Sequence, residues 1–189
     1  MSFPLLPGDA ATQAAMDNIR SLGGTHFFIN LSEAAGPLAS SGIAALLALV
    51  LILSRRFRLL LGLAVAFAGS NLAWVVLKQL ILRPRPGIAH AALIESGWSF
   101  PSGHATNAFA LATFVGLILG RHLTGWTRSL TIVSIFALAC AIAFARVYLG
   151  VHYLSDVIAG ALLGAAFGGL GAYASRTHGV SRGASAPAA

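Results

Sequence analysis

The sequence predicts an all-helical, polytopic membrane protein of five to six spans. Hydrophobic residues make up 57% of its 189 residues and charged residues only 9%, too little polar surface to clothe a water-soluble globule. Apolar segments close to the roughly 20 residues that a helix needs to cross about 30 Å of hydrocarbon recur along the chain. The charges fall between these segments and form no basic stripe, so a formal net charge of +7 does not point to a nucleic-acid partner.

In chain order, the opening MSFPLLPGDA lacks the basic and long apolar regions of a cleaved secretory signal, so insertion is expected from internal segments. Residues 1–36 are expected to form an interfacial amphipathic unit, because Asp9, Asp17, Arg20, Asn30 and Glu33 are scattered among Met16, Ile19, Leu22, Phe27, Phe28 and Ile29. A poorly apolar sixth span is the alternative. The transmembrane unit covers 37–175, with spans expected at Leu38–Leu53, Arg58–Leu77, His104–Gly120, Trp126–Phe144 and Val157–Ala174. Residues 176–189 are rich in Ala, Gly and Ser and read as a disordered cytoplasmic tail. The single cysteine, Cys140, lies in an apolar run and is expected to be a small buried hydrophobe.

With five spans the connections alternate sides. Arg55, Arg56, Arg58, Arg121, Arg128, Arg176 and Arg182 fall on one face, which the positive-inside rule makes cytoplasmic. The other face holds Asp9, Asp17, Glu33, Glu95 and Asp156, with Arg20 and a compact set of cations, Lys78, Arg83, Arg85 and Arg146. Those four run against the orientation bias, and a bound anion would account for them.

Three segments on that face carry chemistry. In KQLILRPRP, Pro84 and Pro86 force Arg83 and Arg85 into extended backbone after the helix that carries Lys78; snorkelling at a helix end explains any one of these cations equally well. In SFPSGHATNAFA, a helix begins after Pro101-Ser102-Gly103, so free backbone N–H groups point outward at an anion, Gly103 allows close approach and His104 offers a proton. Ser102 could equally be an ordinary N-cap. In ARVYLGVHYLSDVIAG, His152 and Asp156 share a helical face, and a carboxylate on one imidazole nitrogen leaves the other free to attack. A structural His-Asp pair is the plainer reading. Together the segments supply cations, helix-end amides, an oriented imidazole and an acid, the set that phosphoryl transfer needs.

These residues resemble the type 2 phosphatidic acid phosphatase family, whose blocks K-x6-RP, PSGH and SR-x5-H-x3-D correspond to Lys78–Pro86, Pro101–His104 and Arg146–Asp156. The resemblance implies the helical fold of that family and a phosphohistidine mechanism with no metal and no cofactor. It implies His152 as nucleophile, Asp156 as its partner and His104 as acid and then base. Lys78, Arg85, Ser102, Gly103 and Arg146 would hold the phosphoryl oxygens. Ala145 stands where the family has Ser. The partners implied are the bilayer and a lipid phosphate, at the periplasmic face of a bacterial cytoplasmic membrane. Undecaprenyl diphosphate leads as substrate, ahead of phosphatidylglycerol phosphate and lipid A phosphates. A lipid-linked phosphotransferase and a non-catalytic lipid-binding or flipping protein are the rival readings.

Outside the blocks, His90, Glu95 and Trp98 read as an interfacial belt. Arg83 is expected to anchor at the membrane surface or to touch a second phosphate. Asn71 and Asn107 suggest interhelical hydrogen bonds, and AGALLGAAFGGLGAYAS suggests close helix packing.

Overall fold

The computed structural model describes residues 6, 8–87 and 90–176, and among them there is no β-strand. The expected tail lies outside the described residues, apart from Arg176. The helices are α1 (Asp9–Ile19), α2 (Leu22–Ala34), α3 (Pro37–Leu53), α4 (Phe57–Ile81), α5 (Gly103–Leu119), α6 (Gly125–Tyr148) and α7 (Leu154–Ala174). Local signals set several boundaries. The Ser21 hydroxyl accepts from the Gly24 N–H at 3.1 Å to cap α2, and Pro37 opens α3, where its missing N–H costs no helical bond. At the start of α7 the Asp156 carboxylate accepts from the Tyr153 N–H at 3.0 Å.

Among the described residues, three helices, α4, α6 and α7, are long and apolar enough to cross a membrane, and a fourth span arises if α2 and α3, bent by 41°, count as one. The expectation of five to six was therefore high. The apolar helices α3 and α5 have 17 residues each, about 25 Å at 1.5 Å per residue, short of the roughly 30 Å hydrocarbon layer. Helix α5 lies inside the bundle with little outward surface, so its apolar sequence reflects packing against protein. The N-terminal segment, expected as one interfacial unit, forms two helices. The first packs on α6 and α7, and the second packs on α6 and leads into α3.

The bundle is built around α5 and α7, the most extensively packed pair. Gly160, Gly164 and Gly168 recur every four residues along α7 and face the α5 backbone. A Cβ on Gly160 would sit 2.5 Å from the Ser102 carbonyl, and one on Gly168 would sit 2.7 Å from that of Ala110, so only glycine permits this approach. Leu46, Leu61, Leu72, Val133, Leu162 and Leu170 point outward, as a lipid-facing belt requires. Cys140 points outward with them and is not buried, because the apolar run that contains it faces lipid as well as core.

Candidate active site

The C-terminal end of α4, the N-terminus of α5 and the connection from α6 to α7 meet at one end of the bundle. There they enclose a cavity of about 230 Å³ lined by Pro37, Trp74, Lys78, Arg85, Glu95, Ser96, Gly103, His104 and His152. Residues far apart in sequence thus converge as the three motifs imply.

His152 is buried at the cavity floor, in the short link before α7. Its Nδ1 lies 3.5 Å from Asp156 Oδ2 and 3.5 Å from the Ser99 hydroxyl. Its Nε2 lies 3.1 Å from Arg85 Nη1. A carboxylate on one side and a guanidinium donor on the other select the tautomer with the proton on Nδ1 and the lone pair on Nε2. Burial, resisted by Asp156, pushes the His152 pKa down to about 4, so the imidazole is neutral around pH 7.

Asp156 is fully buried and saturated with donors. Oδ2 accepts from the Ser99 hydroxyl as well as the Tyr153 N–H, and Oδ1 accepts from Arg83 Nη1 at 2.5 Å. The Asp156 carbonyl also accepts from the Ser102 N–H at 3.1 Å, tying the start of α5 to the first turn of α7.

Lys78 sits near the end of α4 with its ammonium 5.0 Å from the Trp74 ring centroid. The Trp74 indole N–H donates to the Asn71 side chain at 3.0 Å, and the Asn71 amide donates to the Phe67 carbonyl at 2.8 Å. Asn71 therefore bonds within its own helix, contrary to expectation, and helps place a cavity wall. Asn107 does bond between helices, donating to the Ser40 hydroxyl at 3.1 Å.

Gly103 and His104 open α5 and face the cavity. Ser102 holds the N-cap position, yet its hydroxyl makes no cap bond, is buried and has no partner among the described residues, which counts against the simple cap reading. Ala145 is buried within α6 next to the fully buried Arg146.

Glu95 is one residue that sequence reasoning missed. One of its carboxylate oxygens lies 3.1 Å from Arg85 Nη1, and the other accepts from Arg146 Nη2. Burial would raise the Glu95 pKa, but Arg146 and Arg85 outweigh it and hold the carboxyl below its usual range. Arg146 also donates to the Ser32 hydroxyl of α2, while its Nε is buried without a partner among the described residues. Nothing periodic in the loop marks Glu95. Its only sequence signal is its place on the face that gathers the four unexpected cations. The expectations for its neighbours differ: Trp98 is partly exposed, and His90 Nδ1 pairs with Asp17 at 2.5 Å.

Arg83 does not line the cavity. It is 1% exposed and lies between Asp156 and Asp9, with Nη2 2.6 Å from Asp9 Oδ2. Neither surface anchoring nor contact with a second phosphate describes it. Its position follows from Leu82, whose left-handed backbone (φ 52°) ends α4 and turns the chain inward before Pro84.

Among the described residues, no group of three or more His, Cys, Asp or Glu side chains is disposed to hold a metal ion. The cavity's positive charge comes from Lys78 and Arg85, with Arg146 behind. The opposite end of the bundle carries the other arginines: Arg121 donates to the Ala172 carbonyl at 2.7 Å and Arg58 to the Arg176 carbonyl at 3.2 Å.

Residues 59–179 match the PAP2 superfamily. The sequence is 39% identical over 131 residues to a decaprenylphosphoryl-5-phosphoribose phosphatase of Mycobacterium tuberculosis, a match covering 68% of this chain and 67% of that one. It is 39% identical over 100 residues to phosphatidylglycerophosphatase B of Bacillus subtilis, covering 52% of this chain but only 49% of the relative. Among solved structures, the PAP2-type phosphatidylglycerolphosphate phosphatase of Bacillus subtilis superposes with a TM-score of 0.76 at 28% identity, over 86% of this chain and 82% of that one. Aquifex aeolicus LpxE shares the fold, with a TM-score of 0.70 at 24% identity over 90% and 98%.

Proposed function

Since the chain belongs to the PAP2 superfamily, we propose that it is an integral membrane phosphatase that hydrolyses the phosphate ester of a lipid through a phosphohistidine on His152. The observation that carries this reading is the two-sided environment of His152, with Asp156 at Nδ1 and Arg85 at Nε2 beside the cavity.

In the proposed reaction the Nε2 lone pair attacks phosphorus, a P–N bond forms, and the P–O bond to the lipid breaks. Burial and Arg146 hold the His104 pKa at about 4, so His104 gains its proton as the phosphate anion arrives and gives it to the departing oxygen. Water then attacks the phosphohistidine, His104 takes its proton, and the P–N bond breaks to release inorganic phosphate. Asp156 holds Nδ1–H throughout and stabilises the positive charge that the imidazole gains. Lys78, Arg85, Arg146, the Ser102 hydroxyl and the Gly103 N–H would hold the non-bridging oxygens. Because Glu95 links Arg85 and Arg146, an arriving phosphate competes with that carboxylate for both guanidiniums.

The substrate class is a lipid carrying one phosphate at the scissile position. The named relatives act on lipid-linked phosphates of different kinds. With Arg83 committed to two buried carboxylates, the cavity's cations suit a single phosphoryl group. A phosphomonoester such as phosphatidylglycerol phosphate therefore ranks above undecaprenyl diphosphate. By the distribution of arginines, the site faces away from the cytoplasm, at the periplasmic side of an inner membrane.

The test is release of inorganic phosphate by purified protein in detergent, from phosphatidylglycerol phosphate, phosphatidic acid and undecaprenyl diphosphate, with and without chelator. Turnover of a monoester that survives chelation is expected. Release only with Mg²⁺ would overturn the metal-free mechanism, and release from none would favour a non-catalytic lipid-binding role. Transfer of labelled phosphate to an added lipid alcohol in place of water would identify a phosphotransferase.

A further inference from the structure

We propose that Arg83 and Asp9 are positioning residues of the active site, forming a relay Asp9–Arg83–Asp156 that fixes which oxygen of Asp156 faces the nucleophilic imidazole. The inference rests on the reading of His152 as nucleophile, and adds to it a residue from α1, far from all three motifs.

The geometry is that of a fork between two carboxylates. Arg83 Nη1 donates to Asp156 Oδ1 at 2.5 Å and to the Ser155 hydroxyl at 2.7 Å, while Nη2 meets Asp9 Oδ2 at 2.6 Å. Ser155 closes the triangle: its N–H donates to Asp9 Oδ1 at 3.0 Å and its hydroxyl to Asp9 Oδ2 at 2.8 Å. The guanidinium carbon lies 4.2 Å from the centroid of the Tyr153 ring, which covers it. The Arg83 carbonyl accepts from the Ser99 N–H at 2.7 Å, and the Ser99 hydroxyl is one of the donors on Asp156 Oδ2. Both ends of Arg83 therefore act on the same carboxylate, one through Oδ1 and one through Ser99.

Two physical consequences follow. A carboxylate pinned at Oδ1 by a planar, directional donor has lost its freedom to rotate, so Oδ2 stays aimed at Nδ1 of His152. A lone arginine there would also drain Asp156 of the negative charge that holds Nδ1–H, and Asp9 restores it by sharing the cation. Asp9, Arg83 and Asp156 are each at most 1% exposed. Stripping water from three charges is a poor route to stability, and an apolar filling of the same volume would serve the fold as well or better. Orientation of the catalytic pair is what the charges supply.

The experiment reads the tautomer of His152 directly and turnover separately. Protein labelled with ¹⁵N in its histidines is studied by NMR in detergent micelles, the His152 signals being identified by their loss in His152→Gln. Wild type is expected to carry its proton on Nδ1. Arg83→Gln and Asp9→Asn are expected to give a mixture of tautomers and to lower kcat about 10- to 100-fold with KM within about twofold, the size seen when a group that orients a functional imidazole is removed. Arg83→Lys, which keeps the charge but not the fork, is expected to recover part of kcat. Should Arg83→Gln fail to fold, Asp9→Asn still decides, because the amide preserves the shape and can still accept from Ser155. A wild-type tautomer and kcat in folded Asp9→Asn would overturn the relay, as would a loss confined to KM, which would place Arg83 on the substrate. A shifted tautomer in the variants of a wild-type protein that turns over no lipid phosphate would uphold the relay and sink the phosphatase reading.

Discussion

Arginines crowd both ends of this bundle, but in opposite settings. At the end holding the cavity, Arg83 and Arg146 are buried and Arg85 is mostly so, and all three pair with carboxylates. At the other end Arg58 and Arg121 meet backbone carbonyls near the end of α7, where a cation complements the negative helix terminus. Burying a guanidinium carries a desolvation penalty that a surface cation avoids. The same residue type therefore sits exposed at one end and in buried ion pairs around the cavity at the other.

The sharpest way to test that contrast is to remove the proposed nucleophile. His152→Ala is expected to reduce lipid phosphate hydrolysis by more than about a thousandfold and to abolish trapping of a labelled phosphoenzyme; retained trapping would move the nucleophile elsewhere. Next in size, Arg146→Ala is expected to lower kcat/KM by roughly 10²- to 10³-fold, as for loss of one preorganised donor to a transition-state oxygen. Since Arg85 still neutralises Glu95 while the Ser32 hydroxyl loses its donor, thermal unfolding should show a loss of about 1–3 kcal/mol. Full stability in Arg146→Ala would break the distinction between the two ends.

The pH profile is a milder probe. His152 has its pKa depressed from 6.5 to about 4, so the neutral, attacking form persists as pH falls and is lost only below about 4. The acid limb of kcat/KM is expected there, dropping roughly tenfold per pH unit below it, while the alkaline limb reports the proposed acid His104, whose pKa burial also lowers to about 4. An acid limb near 6.5 would mean that His152 is more solvated than its burial indicates. Smaller still, Glu95→Gln removes the carboxylate that competes for Arg85 and Arg146, and is expected to lower KM about two- to fivefold with kcat nearly unchanged. A fall in kcat instead would give Glu95 a part in the chemistry. At the far end, Arg121→Ala is expected to leave kcat and KM unchanged within error and to shift stability by no more than about 0.5 kcal/mol. A larger kinetic effect would undo the comparison.

The sequence makes much of this site legible because its motifs sit at helix ends. Lys78, Gly103, His104 and His152 meet in one cavity because a terminus fixes where a side chain emerges, and alternating spans fix which termini share a face. Glu95 and Ser99 were illegible since they lie in a loop, whose path depends on tertiary contacts that no period encodes. In the sequence Asp9 is one charge in a mixed amphipathic stretch, yet its partner Ser155 is 146 positions away. Hydropathy overcounted spans because α5 is apolar for packing against α7, and it misjudged Cys140 because in lipid an apolar run faces outward as readily as inward.

The glycine ladder of α7 has a consequence for how the site withstands its surroundings. Gly160, Gly164 and Gly168 bring α7 against the backbone of α5, and the first turns of these two helices carry Asp156 and His104, the proposed partner of the nucleophile and the proposed proton donor. The gap between them is gauged largely by main chain against main chain, with only short side chains such as Ala105, Thr106 and Thr113 beside the glycines. A bilayer of different thickness is expected to tilt such a pair as one body. The spacing of His104 from Asp156 is then expected to be independent of the surrounding lipid.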